Sequence, residues 1–175
     1  MKTGILFSLI ILQTLIVGCS NTADFELEQR KITDLLNQNA ECYRNKDLDC
    51  IMGTYLKDSS AIALGTERNF VGKGYEEIYK IYKRDLGQNW EMATYEYKNP
   101  LINVDGNVAW LTADVFSEIK VNIQGNDFNI NLDSRLTAVC KKIDDEWKFV
   151  LTNFQHFKNP ADALNAGQGE KESEK

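Results

Sequence analysis

The sequence has a single histidine, His156, and only four cysteines among its 175 residues. Zinc and related metals are usually held by several histidines and cysteines at short spacings, and the sequence has no such cluster. We therefore expect no metal site and no bound cofactor. Gly72 and Gly74 lack the full glycine pattern of a phosphate-binding loop, and there is no Gly-x-Ser-x-Gly nucleophile turn. The motifs therefore supply no convincing catalytic set.

Positive charge is also scarce. The chain has 20 lysines and arginines against 26 aspartates and glutamates, a formal net charge of -6 and a pI near 4.9. A nucleic-acid-binding surface needs clustered basic residues to neutralise phosphates. The composition thus argues against a nucleic-acid partner and against charge-driven binding to anionic lipid.

The one long apolar run lies at the N-terminus. Lys2 is followed by Ile5 to Val17, which is apolar except for three residues and is too short for a comfortable bilayer span. The run ends in Leu15-Ile16-Val17-Gly18-Cys19, which resembles the lipobox of bacterial lipoprotein signals. The resemblance implies cleavage before Cys19 and a lipid on its sulfur. An ordinary secretory signal with an incidental cysteine, or an uncleaved anchor, remains an alternative.

These patterns divide the chain into four parts. Residues 1–18 are a signal peptide, residues 19–23 a lipidated tether, residues 24–157 one domain, and residues 158–175 a polar, disordered tail. Removing the signal leaves 157 residues, enough for one domain with a real core. We expect a protein of the bacterial cell envelope, anchored to the membrane through Cys19. Ser20 at the next position favours the periplasmic side of the outer membrane if the source has two membranes.

The other cysteines invite two interpretations. Cys42 and Cys50 flank a predicted turn, and an exported domain can keep a disulfide between them, although free thiols fit the sequence equally well. Cys140 shares a strand face with Leu136 and Ala138, which favours a small buried side chain over a reactive thiol.

Helical patterns occupy the first half of the domain. The first helix is predicted to start at Asp24 and to end near Asn45. Asp47 is placed to cap a second, short helix over Leu48 to Tyr55. A third is expected over Tyr75 to Leu86, with Gly87 just past its end.

Strand patterns dominate the second half. Asn99-Pro100 predicts a bulge or an edge, and Asp105-Gly106 is a strong hairpin signal. Helices first and an antiparallel meander last make an α+β domain, with room for a pocket between helices and sheet. The strands are expected over residues 60–65, 91–104, 107–124, 128–142 and 147–157.

The order of these motifs resembles the nuclear transport factor 2-like (cystatin-like) superfamily, and within it the SnoaL-like branch. The matching segments are Asn37 to Tyr55, Phe70 to Ile78, Val108 to Thr112, Arg135 to Lys142 and Trp147 to Val150. The resemblance implies a cone-shaped, curved antiparallel sheet wrapped by helices. It also implies a cavity that serves catalysis in some members and only binding in others, and homodimers formed through the outer face of the sheet.

The candidate catalytic residues follow from strand parity. Asp114 shares a face with Trp110 and Thr112, and a carboxylate beside Trp could act as an acid or base in a cavity. Arg135 could pair with it or hold an anion. The alternative, which the sequence favours, is that both lie in solvent or form a cross-strand pair on the dimer face.

The last strand supplies the remaining candidates. Relatives of the SnoaL-like branch often have His-x-His where this chain has Leu151 and Asn153, which lowers the case for histidine-based catalysis. Strict alternation places Asn153 and Gln155 on the face of Trp147, as candidate ligand-binding residues with Trp110 and Thr112. The same alternation places His156 on the opposite face, as a surface or interface residue.

Three functions fit these observations. We favour a lipid-anchored domain whose cavity binds a small apolar or amphipathic molecule, or a protein partner, without catalysis. The second is an isomerase, dehydratase or hydrolase that uses Asp114. The third is a pure interaction module that dimerises through its sheet.

Overall fold

The computed structural model describes residues 17–157. Nearly all of the predicted signal peptide and the predicted tail, residues 158–175, lie outside that range. Among the described residues, the buried core side chains lie between Ile32 and Phe149, inside the predicted domain.

The first helix, α1, spans Val17–Arg44 and begins before its predicted start at Asp24. The predicted tether is therefore helical, and no proline between Val17 and Asp24 interrupts it. Its buried face was predicted correctly for Ile32 and Leu36, whereas Phe25 is exposed. No helix among the described residues is long and apolar enough to span a bilayer.

The two shorter helices follow the sequence signals. Helix α2 spans Leu48–Gly53, and the Asp47 carboxylate caps it by accepting a 2.9 Å hydrogen bond from the Cys50 N–H. Helix α3 spans Tyr75–Leu86 and buries one face. Gly87 ends this helix with an ordinary φ of -74°, and not in the left-handed conformation expected of a C′ glycine.

Seven strands form one sheet in the order β2-β1-β7-β6-β4-β3, with β5 beside the far end of β4. All neighbours are antiparallel except β1 and β7, which are parallel. The α+β class and the helix-covered sheet are as predicted. The strands are β1 Ile62–Leu64, β2 Val71–Lys73, β3 Trp90–Asp105, β4 Val108–Ile123, β5 Asn126–Asn131, β6 Ser134–Ile143 and β7 Glu146–His156.

One segment that was predicted as a single strand forms two strands in the structure. The segment expected over residues 128–142 breaks at Leu132 and Asp133 into β5 and β6, both of which pair with β4. Ser117 holds the break, since its carbonyl accepts from the Leu132 N–H at 2.9 Å and its hydroxyl donates to the Leu132 carbonyl at 2.7 Å. The four-stranded meander of the prediction therefore has five strands.

Three register shifts bend the long strands. The predicted irregularity at Asn99-Pro100 is confirmed: the β3–β4 register shifts between Lys98 and Leu101, and Asn99 has a φ of 52°. The other two shifts were not predicted. The β3–β4 register also shifts between Met92 and Thr94. Val139 pairs with Leu151 and Cys140 pairs with Phe149, so Val150 is an extra residue in β7. Because strand side chains alternate, one extra residue exchanges the two faces beyond it.

The core lies between the helices and the inner face of the sheet. Small inner side chains on β4, Ala109 and Ala113, alternate along that face with Leu111 and Val115, all of them buried. Alanines in these places let the helices approach the sheet closely. The inner face of β7 carries Trp147 and Phe149 before the Val150 bulge, then Thr152 and Phe154 after it.

The cysteines within the domain have distinct roles. Cys42 and Cys50 form a disulfide, with Cα atoms 5.5 Å apart, that joins the end of α1 to α2. The loop it closes is short, so the stabilisation should fall near the lower end of about 2–4 kcal/mol. Cys140 is buried as expected, and burial raises the pKa of its thiol to about 12.

A charged cluster fixes α1 to the β6–β7 hairpin. The Glu28 carboxylate accepts hydrogen bonds from Lys142 at 2.9 Å and from the Trp147 indole at 2.7 Å, and Lys31 also contacts it. Asp145 in the turn pairs with Lys31 and Lys142 as well. Burial alone would raise the pKa of Glu28, but the hydrogen bonds from Lys142, Trp147 and Lys31 outweigh it and lower the pKa below 4.5.

We predict that Glu28→Gln lowers the free energy of unfolding by about 1 kcal/mol at neutral pH, because it removes charge-assisted hydrogen bonds. A carboxyl whose pKa is lowered by folding stabilises the protein above its unfolded pKa, and this contribution disappears as the pH falls through the folded value. The deficit of Glu28→Gln should therefore shrink at acid pH. Urea unfolding between neutral and acid pH measures it.

Glu26→Gln, an exposed position on the same helix, is the matched control. A Glu28→Gln deficit that matched the Glu26→Gln deficit at every pH would contradict this role for the cluster.

Candidate functional site

A cavity of about 380 Å³ opens between the C-terminal ends of α1 and α3, the β1–β2 loop and the inner face of the sheet. Six aromatic side chains contribute to its lining, together with a smaller polar set. The lining residues are Tyr43, Gly65, Thr66, Glu67, Phe70, Tyr82, Arg84, Asp85, Gln88, Trp90, Met92, Tyr95, Ser117, Ile119, Leu132, Ser134, Phe154 and His156.

Tyr43 is the centre of the aromatic wall. Its ring stacks on Tyr95 with centroids 4.8 Å apart and on Trp90 at 6.1 Å, and Tyr82 meets it edge-on at 6.0 Å. Phe70 in turn meets Tyr82 edge-on at 5.7 Å. Stacked and edge-to-face arrangements are the favourable ones for aromatic pairs, so these rings hold one another in place.

Gly65 makes room for part of this wall. A Cβ added at Gly65 would overlap the Phe70 side chain, which packs directly over the glycine. The absence of a side chain at this one position therefore allows Phe70 to reach Tyr82.

The phenol groups beneath the wall are hydrogen-bonded. The Tyr55 hydroxyl lies 2.8 Å from that of Tyr82 and 2.9 Å from that of Thr152. The Tyr97 hydroxyl donates to the Asn39 side-chain carbonyl at 2.8 Å. Burial is the main cause that raises the pKa of Tyr55, Tyr82 and Tyr97 above 10, so all three are neutral.

Asp85 is the one half-buried carboxylate in the lining. Its Oδ2 accepts a 2.7 Å hydrogen bond from the Tyr43 hydroxyl. Burial, followed by the negative charge of Asp85, raises the pKa of Tyr43 well above 10. The Trp90 indole N–H donates to the Asp85 backbone carbonyl at 3.1 Å. Asp85 therefore links the end of α3 to both rings of the stack.

Exposed polar residues form the rim: Glu67 on the β1–β2 loop, Arg84 on α3, and His156 at the end of β7.

The position of His156 differs from the one that strand parity predicted. The Val150 bulge turns Thr152, Phe154 and His156 inward, so the single histidine borders the cavity. The consecutive apolar residues Phe149-Val150-Leu151 interrupt the alternation, and they were the available sign of the bulge.

The four residues predicted to bind a ligand lie instead on the outer face of the sheet, and so do the catalytic candidates Asp114 and Arg135. The four are Trp110, Thr112, Asn153 and Gln155, and the lining of the cavity includes none of the six residues. For Asn153 and Gln155 the cause is the Val150 bulge. For β4 and β6, the inner face belongs to the alanine and leucine positions between the candidates.

Asp114 and Arg135 form the cross-strand pair that the sequence favoured. The Arg135 guanidinium donates to Asp114 Oδ1 at 3.0 Å, and Asn99 donates to the same carboxylate. The hydrogen bond from Arg135 is the largest cause that lowers the pKa of Asp114, and the one from Asn99 is the next. Asp114 lies outside the cavity, and the alternative that placed this carboxylate inside it as a catalyst does not fit the structure.

The described residues contain no group of three or more His, Cys, Asp or Glu side chains that could hold a metal ion. In the cavity, the Ser117 hydroxyl donates to the Leu132 carbonyl, and the Asp85 carboxylate is engaged by Tyr43. The arrangement supplies flat apolar contacts, a few fixed polar groups and one imidazole at the rim. Sequence reasoning missed much of the lining because Tyr43 and Tyr95 belong to separate elements, whose rings meet only in the fold.

Solved structures share this architecture at low identity. A nuclear transport factor 2-like superfamily protein from Salmonella enterica is 17% identical, with a TM-score of 0.64 over 75% of this chain and 92% of that chain. A Nostoc punctiforme protein of unknown function with a cystatin-like fold is 14% identical, with a TM-score of 0.59 over 77% and 92%. A Novosphingobium aromaticivorans protein, provisionally assigned as a scytalone dehydratase, is 15% identical, with a TM-score of 0.66 over 75% and 85%. These likenesses show the fold alone.

A search of curated proteins by sequence found no match. The SnoaL-like domain family matches residues 32–154, which include the helices that cover the sheet and nearly all of the sheet itself. Because this match covers well over half of the chain, the chain belongs to the SnoaL-like domain family.

Proposed function

We propose that this chain is a membrane-anchored lipoprotein whose SnoaL-like domain binds a small apolar or amphipathic molecule in its cavity without changing it. The observation that carries the proposal is the wall of six aromatic side chains around an open cavity of about 380 Å³. Aromatic lining with a few placed polar groups is the usual composition of a small-molecule site. The volume suits a ligand of about two fused rings.

The hydrogen bonding of the cavity supports binding over catalysis. The Tyr43 hydroxyl donates to Asp85, and the Tyr82 hydroxyl is engaged by Tyr55. General acid–base catalysis needs a group within reach of the substrate whose pKa lies near the working pH, whereas these phenols have raised pKa values.

We predict that naphthylmethanol binds the chain from Ser20 to Lys175, which keeps every buried core residue of the described range, and that Gly65→Ala weakens this binding about tenfold. The added methyl group displaces Phe70 from the wall, so the ligand loses an aromatic contact. Isothermal titration calorimetry measures both dissociation constants.

Gly53→Ala is the matched control, because a Cβ there meets nothing within 4 Å. Absence of binding to the unchanged chain, or an equal loss of affinity in the two variants, would contradict the aromatic cavity as the binding site.

The alternative function is a small-molecule isomerase, dehydratase or hydrolase. One observation favours it: His156 borders the same cavity as Asp85. Incubating the protein with a small-molecule extract of its host and comparing masses and retention times before and after separates the two proposals. A compound that disappears while a product accumulates, in the unchanged chain but not in His156→Ala, would establish catalysis.

The anchor is proposed from the sequence between Ile5 and Cys19, whose apolar run and final Gly18-Cys19 support cleavage and acylation at Cys19. Several acyl chains give stable anchoring, at about 0.8 kcal/mol per buried methylene. The acidic domain adds no charge attraction to anionic lipid. The proposed location is the cell envelope, on the periplasmic side of the outer membrane in a two-membrane host.

We predict that the chain expressed in a bacterium incorporates labelled palmitate and sediments with membranes, and that Cys19→Ala loses both properties. Cys140→Ala should keep both, because that thiol is buried in the core. Label retained in Cys19→Ala, or membrane association without any label, would contradict lipidation at Cys19.

A homodimer through the outer face of the sheet is proposed from the apolar side chains exposed there. Leu101 on β3 is 69% exposed and Trp110 on β4 is 49% exposed, and Phe116 lies further along β4 on the same face. The Asp114–Arg135 pair lies among them. Exposed apolar side chains around a polar pair are typical of an association surface.

We predict that Trp110→Glu raises the dimer dissociation constant about tenfold or more, since it places a charge at the centre of this face. Leu27→Glu, at a position on α1 that is 44% exposed, should leave the constant unchanged. Sedimentation equilibrium measures the constant, and a monomeric unchanged chain or an equal effect of both variants would contradict the proposal.

A further inference from the structure

Asp85 occupies an unusual position for a carboxylate. It lies in the last turn of α3, where the helix dipole disfavours negative charge, and it is half-buried among aromatic rings. Its only side-chain hydrogen bond among the described residues comes from the Tyr43 hydroxyl. It forms no ion pair with any residue from 24 to 157. Carboxylates withdrawn from water are normally paired with a cation.

The neighbouring rings favour a cation at the same place. Tyr43, which holds Asp85, stacks between Trp90 and Tyr95, so a ligand meets the edge of the Tyr43 ring. A ring face that is not covered by another ring is electron-rich and attracts ammonium groups. One such contact is already present, because the Lys46 ammonium lies 3.9 Å from the Trp90 ring centroid and donates to the Gln88 carbonyl.

The remaining charges around the cavity do not neutralise Asp85. Arg84 and Glu67 are exposed at the rim, where water screens both charges. His156 is also exposed at the rim. Asp85 is therefore the charged group of the cavity that would gain most from a ligand of opposite charge.

We infer that the ligand of this cavity carries a positively charged nitrogen that pairs with Asp85, on an apolar body that lies against the Tyr43, Trp90 and Tyr95 rings. This inference rests on the proposed binding function and names the ligand's chemical class, an amphipathic amine. The free Asp85 oxygen accepts from the ammonium, while the Tyr43 hydroxyl keeps its bond to the other oxygen.

The test uses three naphthalene compounds that differ only in their polar group: naphthylmethylamine, which is protonated at neutral pH, naphthylmethanol and naphthoic acid. Calorimetric titration of the chain from Ser20 to Lys175 should show the amine binding about tenfold or more tightly than the alcohol, because only the ammonium forms an ion pair with the carboxylate as well as a hydrogen bond. The acid should bind most weakly.

Asp85→Asn removes the charge and keeps an acceptor for Tyr43. In this variant the amine should lose its preference over the alcohol, so that the two bind equally well. Glu67→Gln, which removes a charge at the exposed rim, should retain most of the preference. If the alcohol binds but the amine binds no better, or if the preference survives in Asp85→Asn, the inference is overturned while the binding function stands. If none of the three binds, the binding function fails with it.

Discussion

Strand β7 has one residue more than its partner β6 between Phe149 and Leu151, and the arrangement of both faces of the sheet depends on it. Before Val150, β7 pairs with the segment after α2, through hydrogen bonds of Phe149 with Thr54 and Leu56. After Val150 it pairs with β1. The bulge lies where the strand changes partner, and a bulge both bends a strand and reverses the faces beyond it. It therefore brings Thr152 under Tyr55 and His156 to the rim.

Once the faces are assigned, the two sides of the sheet have opposite chemistry. Inside, neutral phenols are hydrogen-bonded in short chains, and no buried side-chain nitrogen or oxygen of the described residues lacks a partner. Satisfied polar groups of this kind give a cavity floor a fixed shape, whereas unsatisfied ones would be costly. Outside, charge is carried by cross-strand pairs such as Asp114–Arg135 among exposed apolar side chains. The hydrogen-bonded phenols inside and the charged and apolar side chains outside are thus separated by the thickness of one sheet.

One helix cap, the shorter helices and one bulge could be predicted because a few neighbouring residues in the sequence determine each of them. The Asp47 cap, the helix over Tyr75–Leu86 and the bulge at Asn99 each depend on a few neighbouring residues. The cavity could not be predicted in the same way. Naming the side chains that line it requires knowing which face of β4 is covered by the helices. Strand parity groups the side chains by face but does not say which face is covered. An error of one residue in β7 exchanged the roles of Asn153 and His156.

The direction of α1 sets how far the cavity lies from the proposed lipid anchor. The helix runs continuously from the residues next to the anchor to Tyr43 at the cavity. From Asp24 to Tyr43 it extends about 28 Å at the usual rise per residue. The disulfide at Cys42 fixes this end of the helix to α2, so Tyr43 does not move independently of the domain. The cavity is therefore held at the end of α1 remote from Cys19, the proposed site of the lipid, and its rim of Glu67, Arg84 and His156 is exposed to solvent. A rim exposed to solvent suits exchange of a ligand with the aqueous phase, and the proposed amphipathic amine fits such exchange better than a molecule confined to the bilayer would.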